Sequence, residues 1–204
     1  MRVDLRLDAP LGVRPADNKM TRKMKVYRKI IGLLAATLLL VACESDVENL
    51  YSNFRAFFRF TPVTSAQPLY KSLNNPGLFC TVEFTTSHTI FKGNDGSSYA
   101  APRTALDQYG RPVYISGFII GTPSLPDLNS NFYNVAYDLV CPNCYDESYI
   151  QRKTQFEGYD KMKCTTCHRS YNLNNNGVVD GGENGRPLFR YRLSYGSDVV
   201  VIQN

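Results

Sequence analysis

Residues 53–204 predict an all-β domain, and three observations carry that expectation. Phe, Tyr, Val, Ile and Thr are abundant, the apolar runs are short, and clusters of Pro, Gly, Asn and Asp separate them. Strands are expected at 54–60, 77–85, 113–121, 132–139, 161–163, 188–193 and 199–202. Turns are signalled at 74–77, 93–96, 123–126 and 174–185. Apart from one candidate helical turn at 100–108, no stretch repeats with a helical period. Many short strands with few helices favour a sandwich or a small barrel.

The first part of the chain is of a different kind. Arg22, Lys23, Lys25, Arg28 and Lys29 precede an uncharged apolar run over residues 30–42. That run is shorter than the roughly 20 residues a helix needs to span a bilayer, and it has the layout of a signal peptide. It ends in Leu40-Val41-Ala42-Cys43, which closely resembles the lipobox of bacterial lipoproteins. The resemblance implies that residues 1–42 are removed and that Cys43 carries lipid, placing the protein in the bacterial cell envelope, anchored to the outer membrane. Residues 43–52, with Glu44, Asp46 and Glu48, read as a polar tether. Residues 1–42 hold 9 of the 23 Lys and Arg but only 3 of the 18 Asp and Glu. The remainder therefore has 14 positive against 15 negative side chains, and its near-neutral charge gives no electrostatic case for nucleic acid as a partner.

The strongest chemical signal is a pair of C-x2-C motifs, Cys141-Pro142-Asn143-Cys144 and Cys164-Thr165-Thr166-Cys167, separated by residues 145–163. Two such knuckles supply four thiolates to a tetrahedral ion, and the spacing is that of a zinc ribbon. Two other readings stay open at this point. Exported cysteines often pair as structural disulfides, which would make the domain a disulfide-stabilised surface binding module. A redox-active dithiol would need a helix after its first cysteine, for which residues 145–153 are the candidate.

The flanks of these motifs resemble a known family. Val135 to Val140 followed by Cys141-Pro142 is similar to the strand and first cluster loop of Rieske iron-sulfur domains. Cys167-His168-Arg169-Ser170-Tyr171-Asn172 resembles their second loop, and Gly185-Arg186-Pro187-Leu188 with Tyr191 resembles the approach to their closing strands. The resemblance implies a Rieske-like β-sandwich or barrel over residues 53–204 with a metal subdomain at about 138–189. A Rieske cluster uses two Cys and two His. Here Asn143 stands at the first histidine position, Cys167 stands where the second would fall, and His168 is one residue late. The resemblance is therefore to a Rieske-like domain with a four-cysteine, zinc-ribbon or rubredoxin-like site formed by Cys141, Cys144, Cys164 and Cys167. Such a site suits Zn2+ or a single Fe, with an all-cysteine 2Fe-2S cluster as the alternative. With iron the protein would be an envelope electron-transfer protein with an unidentified redox partner.

Smaller signals complete the reading. Asn172, Asn174, Asn176, Asp180 and Glu183 have the spacing of a calcium loop, with Gly177 at its turn, although an Asn- and Gly-rich hairpin has the same composition. His168 can tune or substitute a ligand. Cys80, within an apolar run, reads as a buried free thiol. No G-x-S-x-G elbow accompanies His88 and Ser87, and no catalytic role is expected of them.

Overall fold

The computed structural model describes residues 51–104 and 115–204. The expected signal segment, Cys43 and most of the tether lie outside the described residues. Among those described, strands dominate, in two antiparallel sheets.

The larger sheet has eight strands. In chain order they are β1 (Phe57–Phe60), β2 (Phe79–Phe84), β3 (His88–Gly93), β4 (Ser98–Pro102), β5 (Phe118–Gly121), β6 (Val135–Asp138), β11 (Arg190–Gly196) and β12 (Val199–Gln203). Their order across the sheet is β1-β12-β11-β6-β5-β2-β3-β4. The smaller sheet takes β7 (Thr154–Phe156), β8 (Lys161–Cys164), β9 (Ser170–Asn172) and β10 (Val178–Gly181) in the order β10-β9-β8-β7. The large sheet curls on itself. Phe58 and Phe60 of edge strand β1 reach Phe118, Phe84 and Phe91 from the other half of the sheet, with Phe60 and Phe91 rings 4.7 Å apart.

The curl encloses one core. Cys80 and Val82 of β2, Phe91 of β3, Phe118 and Ile120 of β5, Ala136 of β6, Tyr191 of β11, and Val200 and Ile202 of β12 point into it. Period-two alternation sends Phe79, Ile119, Val135 and Tyr137 to the opposite face. There they meet Met162, Tyr171 and Leu173 of the small-sheet region, with Leu188, in a second core. The central strands are thus covered on both faces, which is why Phe118-Ile119-Ile120 is a continuous apolar run and not an alternating one. Cys80 is fully buried and free, in line with its sequence reading, and burial holds its thiol protonated.

Four sequence expectations are corrected. Helix α1 (Gln67–Asn74) was not predicted. Pro68 occupies its first turn, where the missing N–H costs nothing. Pro68, Leu69, Ser72 and Leu73 form a buried stripe that covers the first core. At two turns, the helix repeats that stripe only once, too little for a periodic signal. The candidate helical turn at 100–108 does not form at its start, because Ala100–Pro102 belong to β4 and pair with β3; residues 105–108 lie outside the described set. The first strand is shorter than expected because Phe54 leaves the sheet to pack edge-on against Tyr145 and Phe189. The expected turn at 174–185 is interrupted by β10, which pairs with β9.

Asp138, at the end of β6, is fully buried. It accepts hydrogen bonds from the Val140 N–H (2.9 Å), the Ser116 N–H (3.3 Å) and the Tyr191 hydroxyl (3.0 Å). Burial outweighs these donors and pushes its carboxyl up to about 7. An unfolded aspartate titrates near 3.9, so between roughly pH 4 and 7 the folded chain holds a proton the unfolded chain has lost. Stability from this group is full below that window and declines as pH rises through it, by an amount on the order of 2–4 kcal/mol. Asp138→Asn is expected to remove that decline. Urea unfolding at pH 5 and pH 8 checks it: the variant should gain on the parent at pH 8, and an equal difference at both pH values would contradict the assignment.

Candidate metal centre

Strand β6 delivers the first knuckle and β8 the second. Cys141 caps helix α2 (Pro142–Ser148), with Pro142 at its first position and Cys144 one turn in. Helix α2 ends at Tyr149, which takes a left-handed conformation at φ 56°. It is shorter than the candidate helix at 145–153 and begins earlier. In the second knuckle the chain leaves β8 at Cys164 and reverses through His168, whose φ is 60°. The His168 N–H donates to the Cys164 carbonyl and the Cys164 N–H to the Arg169 carbonyl, both at 3.0 Å.

These turns bring together the four cysteines that the spacing singled out. The sulfurs of Cys141, Cys144, Cys164 and Cys167 all lie within 4.8 Å of one another. Cys141–Cys167 and Cys144–Cys164 each stand at 3.6 Å. With Zn–S bonds of about 2.3 Å, a regular tetrahedron places its sulfurs about 3.8 Å apart. The donor set and its compactness fit one thiophilic ion. Cys141, Cys144 and Cys164 are buried, and Cys167 is part-exposed.

The surroundings are built for negative charge at one point. Burial pushes the Cys141 thiol up to about 11, only partly offset by the Tyr171 hydroxyl 3.0 Å away and the Cys144 N–H. Burial and its thiol neighbours hold Cys144 well above the usual range too. At Cys167 burial also raises the pKa. The Arg169 N–H, the Arg169 guanidinium and the thiols of Cys141 and Cys144 together outweigh it and bring the value down to about 7. Cys141 and Cys144 therefore need a cation before they ionise, and metal loading would release protons.

Two neighbours of the quartet carried no signal as ligands. Arg169, only 7% exposed, donates to the Glu183 carbonyl and carboxylate at 3.1 Å each and faces Glu147 at 3.5 Å. Asn143, at the position of the missing histidine, clamps a different partner. Its Nδ2 donates to the Arg186 carbonyl (3.0 Å) and its Oδ1 accepts from the Arg186 N–H (2.9 Å), while Nδ2 also reaches the Tyr171 hydroxyl (3.0 Å). Residues 182–186 thus form a strap across both knuckles. Gly182 lies against His168 and Arg169, and Gly185 against Asn143, so closely that a methyl at either position meets the knuckle.

The other sequence candidates sit elsewhere. His168 is exposed and contributes no atom to the quartet. His88 hydrogen-bonds Ser87 at the start of β3 (2.8 Å). The calcium-spaced residues lie on or beside the β9–β10 hairpin, where the Asn172 amide donates to the Asp180 carboxylate at 3.3 Å and the other side chains are held by neighbours. Asn172 Oδ1 accepts the N–H groups of Asn174 and Asn175, and Asn174 Oδ1 accepts the Ser124 N–H. Asn176 bonds Arg190, Asp180 pairs with Lys161 and Glu183 with Arg169. Among the described residues no helix is long and apolar enough to cross a membrane. No protein-family model, curated protein or solved structure matches this chain.

Proposed function

We propose that the chain is a lipid-anchored protein of the bacterial cell envelope whose Rieske-like β domain holds one metal ion through Cys141, Cys144, Cys164 and Cys167, the ion serving the fold. The convergence of four thiols from two knuckles carries this reading. All four coordination positions are supplied by protein, which is the design of a structural site; a catalytic zinc keeps one position open. A divalent ion bound by four thiolates has a net charge of −2, and Arg169 beside Cys167 offsets half of it. The compact quartet favours one ion over a two-iron cluster, which divides its thiolates between two metals. Support for the Rieske-like reading is the sequence pattern, together with two facing ligand loops, one after β6 of the large sheet and one between β8 and β9 of the small sheet packed against it. Support for the anchor is the basic stretch, the short apolar run and Cys43.

Elemental analysis of the purified mature protein is expected to find about one zinc per chain and a colourless solution. Iron at the same stoichiometry, with visible absorption, would turn the reading to electron transfer. Protein free of both metals, with thiols that label only after reduction, would replace the metal site with disulfides.

A further inference from the structure

We propose that the outward face of β1, β12 and β11 is a docking surface for a bilayer with anionic headgroups, a reading that rests on the lipid anchor at Cys43. The strand register defines this face. Phe57 stands opposite Gln203 and Gln203 opposite Arg192, while Arg59 stands opposite Val201 and Val201 opposite Ser194. The alternate residues Phe58, Tyr191, Val200 and Ile202 are buried in the core, so Phe57, Arg59, Arg190 and Arg192 face away from it. Tyr51 and Tyr133 complete the face. The Arg190 guanidinium lies over both rings at 5.7 and 5.8 Å, and that of Arg192 lies over Tyr51 at 5.2 Å.

The charge on this face is unbalanced. Among the described residues Arg59, Arg190 and Arg192 make no ion pair with a carboxylate, as is true elsewhere of Arg55 and Arg152, whereas Lys71, Lys92, Lys153, Lys161, Lys163, Arg169 and Arg186 do. The part of the chain after residue 42 is near neutral overall, so this excess of positive charge is local. Phe57 is 54% exposed beside it. Arginines that pair with phosphates, set among aromatic rings, are the chemistry of a membrane–water interface.

Chain length points to the same occupant. Tyr51 belongs to the face and lies eight peptide steps from Cys43. Fully extended, those steps span no more than about 29 Å. A lipid on Cys43 would keep this face within that distance of the bilayer, a high local concentration for a weak contact.

The chain has no tryptophan, so Phe57→Trp installs a single reporter. Full-length protein purified from membranes is reconstituted into phosphatidylcholine vesicles with and without phosphatidylglycerol, including brominated lipid as quencher. Trp emission is expected to shift to the blue and be quenched when phosphatidylglycerol is present. Tyr149→Trp, at the exposed end of α2, is expected to remain solvent-like. Arg59→Gln with Arg192→Gln should weaken the phosphatidylglycerol-dependent quenching, by about fivefold for each arginine removed. Solvent-like emission from the Phe57→Trp protein in both lipid mixtures overturns the docking. Mass spectrometry of the peptide containing Cys43 reads the anchor separately. If that peptide carries no lipid, the same vesicle measurement reads the docking alone: phosphatidylglycerol-dependent quenching upholds the docking while the anchor fails, and its absence overturns both.

Discussion

Cys164→Ser is expected to lose its metal and to melt about 12 °C below the parent protein. A ligand bound only to the folded state adds about 4 kcal/mol of stability when it is present at 1,000 times its dissociation constant. In a domain of this size each kcal/mol moves the melting temperature by about 3 °C. Cys164 is buried with its sulfur 3.6 Å from that of Cys144, and a serine hydroxyl in its place is a hard donor that ligates a thiophilic ion poorly. Cys80→Ala is the matched control. Cys80 is as deeply buried but belongs to the first core, away from the quartet, and its loss should cost about 1 kcal/mol in packing and no metal. Metal-to-protein ratio and thermal unfolding, measured on both variants, separate the effect of a ligand from that of a buried sulfur. A Cys164→Ser protein that kept one metal per chain and the parent melting temperature would sink the four-cysteine site.

The ligands were legible because a C-x2-C knuckle is a local object: its geometry depends on four residues and a turn. What holds the two knuckles together was not legible. Asn143 registers in the sequence only as a histidine that is absent, yet its side chain bonds the backbone of Arg186, 43 residues away. Arg169 follows a ligand by two positions, but its partner Glu183 lies across a hairpin. Such contacts are created by the pairing of β8, β9 and β10, and nothing near either residue encodes them.

The fold divides in the same way. Strands β2, β5, β6, β11 and β12 were readable because burial on one or both faces gives them apolar runs. Strands β7 and β9 have three residues each, too few for composition to register, and they exist because β8 pairs with both. Strand β3 carries only Thr89 and Phe91 to the interior, and its neighbour β2 fixes it through a five-residue register. The curl that brings β1 against Phe84 and Phe91 depends on the whole sheet.

Gly185→Ala tests whether the strap is what holds the knuckles in place. The new Cβ would collide with the Asn143 amide, coming within 2.9 Å of its Nδ2 and closer still to Oδ1. Asn143 is buried at the head of α2, so the amide cannot swing into solvent without giving up both bonds to Arg186. Leaving a buried amide unsatisfied costs about 1–3 kcal/mol, and strain in the strap adds to it, so a loss of about 3 kcal/mol is expected. The ligands themselves are untouched, and metal stoichiometry should stay at one per chain. Release to a competing chelator should nevertheless become at least tenfold faster, because the knuckles separate more readily once the strap is displaced. A double-mutant cycle makes the cause visible: Asn143→Ala removes the group that Gly185→Ala would strike, so the second substitution should cost less than about 1 kcal/mol in that background. Full additivity of the two losses would show that the strap and the first knuckle act independently. The metal, the Tyr171 hydroxyl and the Arg169–Glu147 pair would then hold the second knuckle against the first without the strap.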